Sequence, residues 1–115
     1  MLNSRQVGNI YENLARRYLS NNGYEILEQN FRVRFGEIDI VAKNEGYLCF
    51  VEVKYRKNDK YGGGLYAVNK DKQKTIFNVA KMYLKEKCLK EDTPCRFDVV
   101  NVDGDKVEII KNAFP

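Results

Sequence analysis

Two short charged runs interrupt an otherwise apolar stretch: Glu37-Ile38-Asp39 and, with twelve residues between Asp39 and Glu52, Glu52-Val53-Lys54. Carboxylates brought close together repel unless a proton or a cation stands between them. A hard dication such as Mg²⁺ takes oxygen ligands, often only one or two protein carboxylates, and keeps room for waters and a substrate phosphate. A lysine two residues after a glutamate lies on the same face of a strand, where it can orient or activate a water. An acid followed by Glu-x-Lys is thus the equipment of metal-dependent phosphodiester hydrolysis. On this reading Asp39 and Glu52 are the metal ligands and Lys54 serves the water. The plainer reading of the same residues is an amphipathic hairpin with one wet face, in which Glu52 and Lys54 are merely soluble.

For these groups to meet, the chain around them must form a hairpin. Gly36–Ala42 and Tyr47–Arg56 are rich in β-branched and aromatic residues, and Lys43-Asn44-Glu45-Gly46 between them has turn chemistry. Setting Ile38 against Val53 and Ile40 against Val51 stacks apolar on apolar. The same register sets Asp39 opposite Glu52 and Glu37 opposite Lys54, and a slip of one residue breaks every pair. It requires a loop of two or four residues.

Composition narrows the chemistry. The chain has 115 residues, enough for one core and too few for two, so one domain over 1–115 is expected. It has no histidine, which excludes Ser-His-Asp and Cys-His catalysis and the usual zinc sites. Cys49, Cys88 and Cys95 are odd in number and lack Cys-x-x-Cys spacing. No apolar run approaches the length of a membrane span, and the N-terminus has no apolar signal core, so a cytoplasmic protein without membrane partners is expected. A net charge of +4 is compatible with a polyanionic partner without requiring one.

Around the hairpin, helical spacing of Val7, Ile10, Tyr11, Leu14, Ala15, Tyr18 and Leu19 predicts a helix from Ser4, its N-cap, to Asn21, stopped by Gly23. Glu12 falls at the edge of its buried stripe, either as a solvated glutamate or as a further carboxylate reaching the hairpin. Tyr24–Arg34 reads as a strand, irregular near Asn30, with Arg32 and Arg34 on one face as phosphate contacts or as a solvated edge. Lys57–Gly64 is a glycine-rich loop without the ending of a P-loop, whose Lys57, Lys60 and Tyr61 could meet nucleic acid. Asn69 caps a second helix to about Leu89, buried through Ile76, Phe77, Ala80, Tyr83 and Leu84. Lys72 and Gln73 in its first turn are further nucleic-acid candidates. Arg96–Val102 and Lys106–Ile110 are strands around an Asp103-Gly104 turn, with Asp98 expected to pair with a nearby Arg or Lys rather than bind metal. The order α-β-β-β-α-β-β predicts an α/β fold, a mixed β-sheet flanked by helices, with one parallel crossover.

The runs Gly36–Ala42, Phe50–Arg56 and Arg96–Val100, the closing Asn112-Ala113-Phe114, and Tyr11-Glu12 with Ala15 in the first helix together resemble the bacterial YraN-like family over nearly the whole chain. That resemblance implies a restriction-endonuclease-like fold of the PD-(D/E)xK superfamily, similar to archaeal Holliday junction resolvases. It assigns Asp39 as the first acid, Glu52 as the second, Lys54 as the lysine and Glu12 as the helix glutamate of resolvase-like members. The proline preceding the first acid is absent, since Ile38 stands there.

Residues and resemblance together predict a Mg²⁺-dependent endonuclease acting on DNA rather than RNA, with branched or processed intermediates as substrates and Mn²⁺ as a substitute. Asp39, Glu52 and the Val53 carbonyl would hold the metal, Lys54 the water, and Glu12 a second metal or its water. Arg32, Arg34, Arg56, Lys72 and Gln73 are the candidate nucleic-acid contacts. The alternatives are a nucleic-acid-binding module of the same fold that does not cut, and a small adaptor for protein partners. Resolvase-like relatives act as dimers, so a homodimer through Tyr47, Tyr55, Tyr61 or Tyr66 is also an expectation.

Overall fold

The computed structural model describes residues 1–56 and 68–114. Helix α1 (Ser4–Asn21) starts at a capping box: Asn3 Oδ1 accepts from the Gln6 amide and Gln6 Oε1 from the Asn3 amide, both at 2.9 Å. The cap is therefore Asn3 rather than Ser4, because the Asn3–Gln6 pair satisfies two otherwise orphan donors at once. Full burial on α1 is confined to Ala15 and Leu19, with Tyr11 and Leu14 packed beside them, and Ile10 is exposed despite its helical spacing.

Strands β1 (Glu25–Val33), β2 (Gly36–Asn44) and β3 (Tyr47–Arg56) form an antiparallel meander. Helix α2 (Lys70–Glu86) leads to β4 (Cys95–Asp103), parallel to β3, and β5 (Lys106–Ile110) closes the sheet antiparallel to β4. Spatial order equals chain order, β1-β2-β3-β4-β5, and the expected α/β order is observed. Asn69 caps α2, accepting from the Lys72 amide at 2.8 Å. The helix stops at Glu86, short of Leu89, and Cys88 beyond it takes a left-handed φ of 56°.

One helix covers each face of the sheet. Ile76, Val79, Ala80 and Tyr83 of α2 pack on Phe31, Ile38, Val41, Phe50 and Val99. Ala15 and Leu19 of α1 pack on Ile40, Ala42, Val51, Val100 and Val102. Val79, absent from the expected α2 face, is fully buried, whereas Phe77 and Leu84 are only partly so. The β2–β3 hairpin closes through a two-residue turn, Glu45-Gly46, with φ of 57° and 84°, the primed geometry that matches strand twist. At that end of the sheet the fully buried Asp98 accepts hydrogen bonds from Tyr24 Oη (2.7 Å), Arg96 Nε and Nη2 (both 2.9 Å) and the Asn112 amide (3.0 Å). Asp98 thus pairs with an arginine, as its setting suggested.

Candidate active site

At the opposite end, β2 and β3 separate. Their ladder follows the expected register from Asn44↔Tyr47 to Ile40↔Val51 and ends there. Beyond it Asp39 takes the place of a backbone partner, its Oδ2 accepting from the Val53 amide at 2.8 Å. The other flank is irregular at the same level. The β1–β2 ladder carries pairs at Gln29↔Ile40 and Phe31↔Ile38 but none between them, where Asn30 has a left-handed φ of 55°. Asparagine tolerates that conformation better than most residues.

Strict alternation fails as a result. Ile38 packs on the α2 side with Phe31, while Ile40 packs on the α1 side with Val51. Three expectations are corrected. Ile38 does not stack on Val53, which joins the α1-side cluster. Asp39 meets Glu52 across a gap rather than as a ladder partner. Glu37 faces Arg32 of β1, with an ion pair at 3.0 Å, and not Lys54.

Glu52 neighbours Val51 and Val53 of the α1 side and so faces α2, where Lys72 Nζ lies 3.7 Å from its Oε2. Its side chain is only 13% exposed. Burial, then a hydrogen bond with Asp39 and the charge of Asp39, push the Glu52 carboxyl up to about 8 against the opposing Lys72 and Lys54. Glu52 therefore keeps its proton near neutral pH beside Asp39. Lys54 lies on the same face two residues on, and its ladder neighbour Asn101 is buried with an amide oxygen that has no hydrogen-bond partner among the described residues. Glu52, Lys54, Asn69 and Lys72 line an open cleft of about 440 Å³.

Glu12 approaches from the α1 side. Its Oε1 is buried and unpartnered among the described residues. Burial, then the charges of Asp39 and Glu37, raise its carboxyl, while an Asn30 hydrogen bond and Arg32 oppose the rise. Asp39 thus stands between Glu52 on one face of the sheet and Glu12 on the other. Among the described residues no three His, Cys, Asp or Glu side chains converge on one metal position. The available donors are two carboxylates and a carbonyl, since a strand residue presents its N–H and C=O to the same edge and the Val53 N–H faces Asp39. Two adjacent carboxyl groups, a carbonyl and an open cleft suit one hard dication that retains waters.

The remaining candidates scatter around this centre. Arg32 is largely exposed on its Glu37 pair, and Arg34 is exposed in the β1–β2 turn. Lys72 leans on Glu52, and Gln73 Nε2 donates to the Val68 carbonyl at 2.7 Å. The Arg56 side chain, Tyr66 and the loop with Lys57, Lys60, Tyr61 and Gly62–Gly64 lie outside the described residues. Sequence reasoning missed Asn101 and the stacking of Tyr11 on Tyr55, whose ring centroids are 4.3 Å apart and nearly parallel at 9°. That stack joins α1 to β3 beside Glu12 and Lys54. Nothing in the spacing of two tyrosines 44 residues apart announces it.

Comparison with known proteins places these residues in a family. The model of "Uncharacterised protein family UPF0102" matches residues 11–102, which include Glu12, Asp39, Glu52 and Lys54. The chain belongs to the UPF0102 family. A UPF0102 protein of Lachnoclostridium phytofermentans is 50% identical over 113 residues, covering 98% of this chain and 96% of the relative. Another, from Syntrophus aciditrophicus, is 46% identical, covering 99% and 92%. The crystal structure of SSO0001 overlays with a TM-score of 0.43 at 14% identity, covering 95% of this chain, which spans about half (52%) of that one. The YraN-like resemblance is met at the level of this family.

Proposed function

We propose that this UPF0102 chain is a Mg²⁺-dependent endonuclease that hydrolyses phosphodiester bonds in DNA, with the site plan of the PD-(D/E)xK superfamily and its resolvase-like members. The observation that carries the reading is the Asp39–Glu52 pair, held across a split in the sheet with a carboxyl pushed up to about 8, beside Lys54. Such a pair is costly for a scaffold and useful for holding a hard cation. When bound, Mg²⁺ supplies charge to polarise the scissile phosphate and to stabilise the leaving oxygen. Asp39 and Glu52 hold it with the Val53 carbonyl, and Mn²⁺ suits the same oxygen donors. Lys54 orients the water whose oxygen attacks phosphorus as the bond to the leaving oxygen breaks. Glu12, on the far side of Asp39, holds a further water or cation. Lys72, Arg32, Arg34, Arg56 and Gln73 are the phosphate contacts of this reading, and such contacts fix register rather than sequence.

The test is cleavage of linear, flapped and four-way DNA with Mg²⁺ or Mn²⁺. The wild-type protein is expected to nick or cut, and Asp39→Ala, Glu52→Ala and Lys54→Ala are each expected to lower the rate by at least about 100-fold. Activity that persists in EDTA or in all three variants refutes the proposal. Salt-sensitive DNA binding without turnover under any metal transfers the reading to a non-catalytic binding module of the same fold.

A further inference from the structure

The β1–β2 turn carries a feature that hydrolysis does not require. Its two residues are Arg34 and Phe35, and the Phe35 ring is 54% exposed, more than the exposed tyrosines Tyr47 (43%) and Tyr55 (40%). The turn is firmly held. Val33 pairs with Gly36 and Arg32 with Glu37 directly behind it, the second pair reinforced by the 3.0 Å ion pair. Gly36 lies so close to α2 that a Cβ there would stand 2.7 Å from Thr75 Cγ2 and 3.1 Å from Val79 Cγ2. Thr75 is one helical turn on from Lys72, which reaches Glu52. The turn therefore adjoins α2 one helical turn from Lys72, the residue that reaches Glu52, and holds Phe35 exposed to solvent beside Arg34.

From this geometry we infer that Phe35 is a stacking wedge that selects nucleic acid at a break in base stacking, such as a branch point or an unpaired end. The choice of partner rests on the nuclease reading. A sugar–phosphate backbone offers an aromatic ring no flat apolar partner, whereas a base face does. In continuous duplex every base face is covered, and opening a step to admit a wedge carries an unstacking cost. At a branch or a fray the face is already open, so the ring gains its stacking without that cost. Arg34 and Lys72 meet neighbouring phosphates, and the paired strands behind the turn fix the backbone from which Phe35 is presented. Selection for interrupted DNA then comes from Phe35, and phosphate affinity from the basic residues.

The experiment measures binding in EDTA, so that cleavage plays no part and a failure of the nuclease reading shows separately in the cleavage assay. Fluorescence anisotropy compares four-way, flapped and linear DNA of one sequence, and 2-aminopurine at the branch reports stacking. Wild type is expected to prefer the branched forms and to quench the 2-aminopurine. Phe35→Ala is expected to lose about 10-fold or more in affinity for branched DNA, to change little on linear duplex, and to leave the probe unquenched. Phe35→Tyr, which keeps the ring, is expected to retain both. An equal loss on branched and linear DNA overturns the inference, as does an unchanged preference in Phe35→Ala. Absence of DNA binding by the wild type overturns it too. So does a sedimentation shift showing that Phe35→Ala only dissociates a dimer.

Discussion

Glu52 is the residue whose protonation couples the site to the stability of the chain. Its carboxyl ionises near 4.5 when unfolded and near 8 when folded, so between those values the native state holds a proton that the unfolded chain has released. Stability is then fully present below about 4.5 and falls as pH rises toward 8, with a slope of at most about 1.4 kcal/mol per pH unit. Glu12 shifts in the same direction and adds to the trend, whereas the lowered Glu45 carboxyl acts at the acid end with the opposite sign. Metal-free protein is expected to melt at progressively lower temperature from pH 5.5 to pH 8.5, and Glu52→Gln to flatten the profile. A wild-type profile no steeper than that of Glu52→Gln contradicts the raised Glu52 carboxyl. Lys72→Ala, which removes the nearest opposing cation, moves the decline to higher pH. On the proposed function, Mg²⁺ would displace the same proton, so its binding should release protons and tighten as pH rises toward 8, which calorimetry in buffers of different ionisation heat detects.

Among the elements, the seat of α2 on the β1–β2 hairpin depends on the missing side chain at Gly36. Thr75 cannot readily yield to a new Cβ, because it is β-branched and its Oγ1 donates to the Asp71 carbonyl at 3.1 Å. Gly36→Ala is expected to cost about 1–3 kcal/mol by overpacking. Pairing it with Thr75→Ser, which keeps the hydroxyl and removes Cγ2, should recover most of the loss in a thermal melt. Failure of the pair to recover would place the strain elsewhere. This contact was illegible in the chain, since it joins residues 36 and 75 through a glycine that reads as a turn signal. The hairpin was legible down to its register at Ile40↔Val51, because apolar pairing and turn length leave one solution. Legibility stopped at Asp39. Alternation assumes an unbroken strand, and here it breaks at Asp39, level with the left-handed Asn30 of the neighbouring strand. The charge pattern thus identified Asp39 and Glu52 as partners, while the way they meet, with Asp39 on the Val53 amide, belongs to an irregularity that β1 and β2 share.

At the scale of the whole molecule, the split that opens the site at one end of the sheet is balanced by a polar clamp at the other. Arg96, 7% exposed, binds Asp98, the Tyr24 hydroxyl, Asn44 Oδ1 at 2.6 Å and Glu45 Oε1 at 3.0 Å, while Asp98 also accepts from the Asn112 amide. One ion pair therefore ties the start of β1, the β2–β3 turn, β4 and the segment after β5. Lys111 adds a 3.0 Å contact to Glu45 from that last segment. A buried pair of this kind is weak as a source of net stability, but removing one partner strands the other charge in the interior. Asp98→Ala is accordingly expected to cost about 3–5 kcal/mol, or roughly 10–30 °C in Tm for a chain of this size. Asp98→Asn, which keeps the shape and part of the hydrogen bonding, should cost less. Because Arg96 then loses the one charge that is fully buried with it, the loss should appear in urea melts as a lower midpoint with an unchanged slope. A loss under about 1 kcal/mol in Asp98→Ala would mean that Glu45 and Asn44 alone hold the guanidinium, and that the clamp is carried by the β2–β3 turn rather than by Asp98.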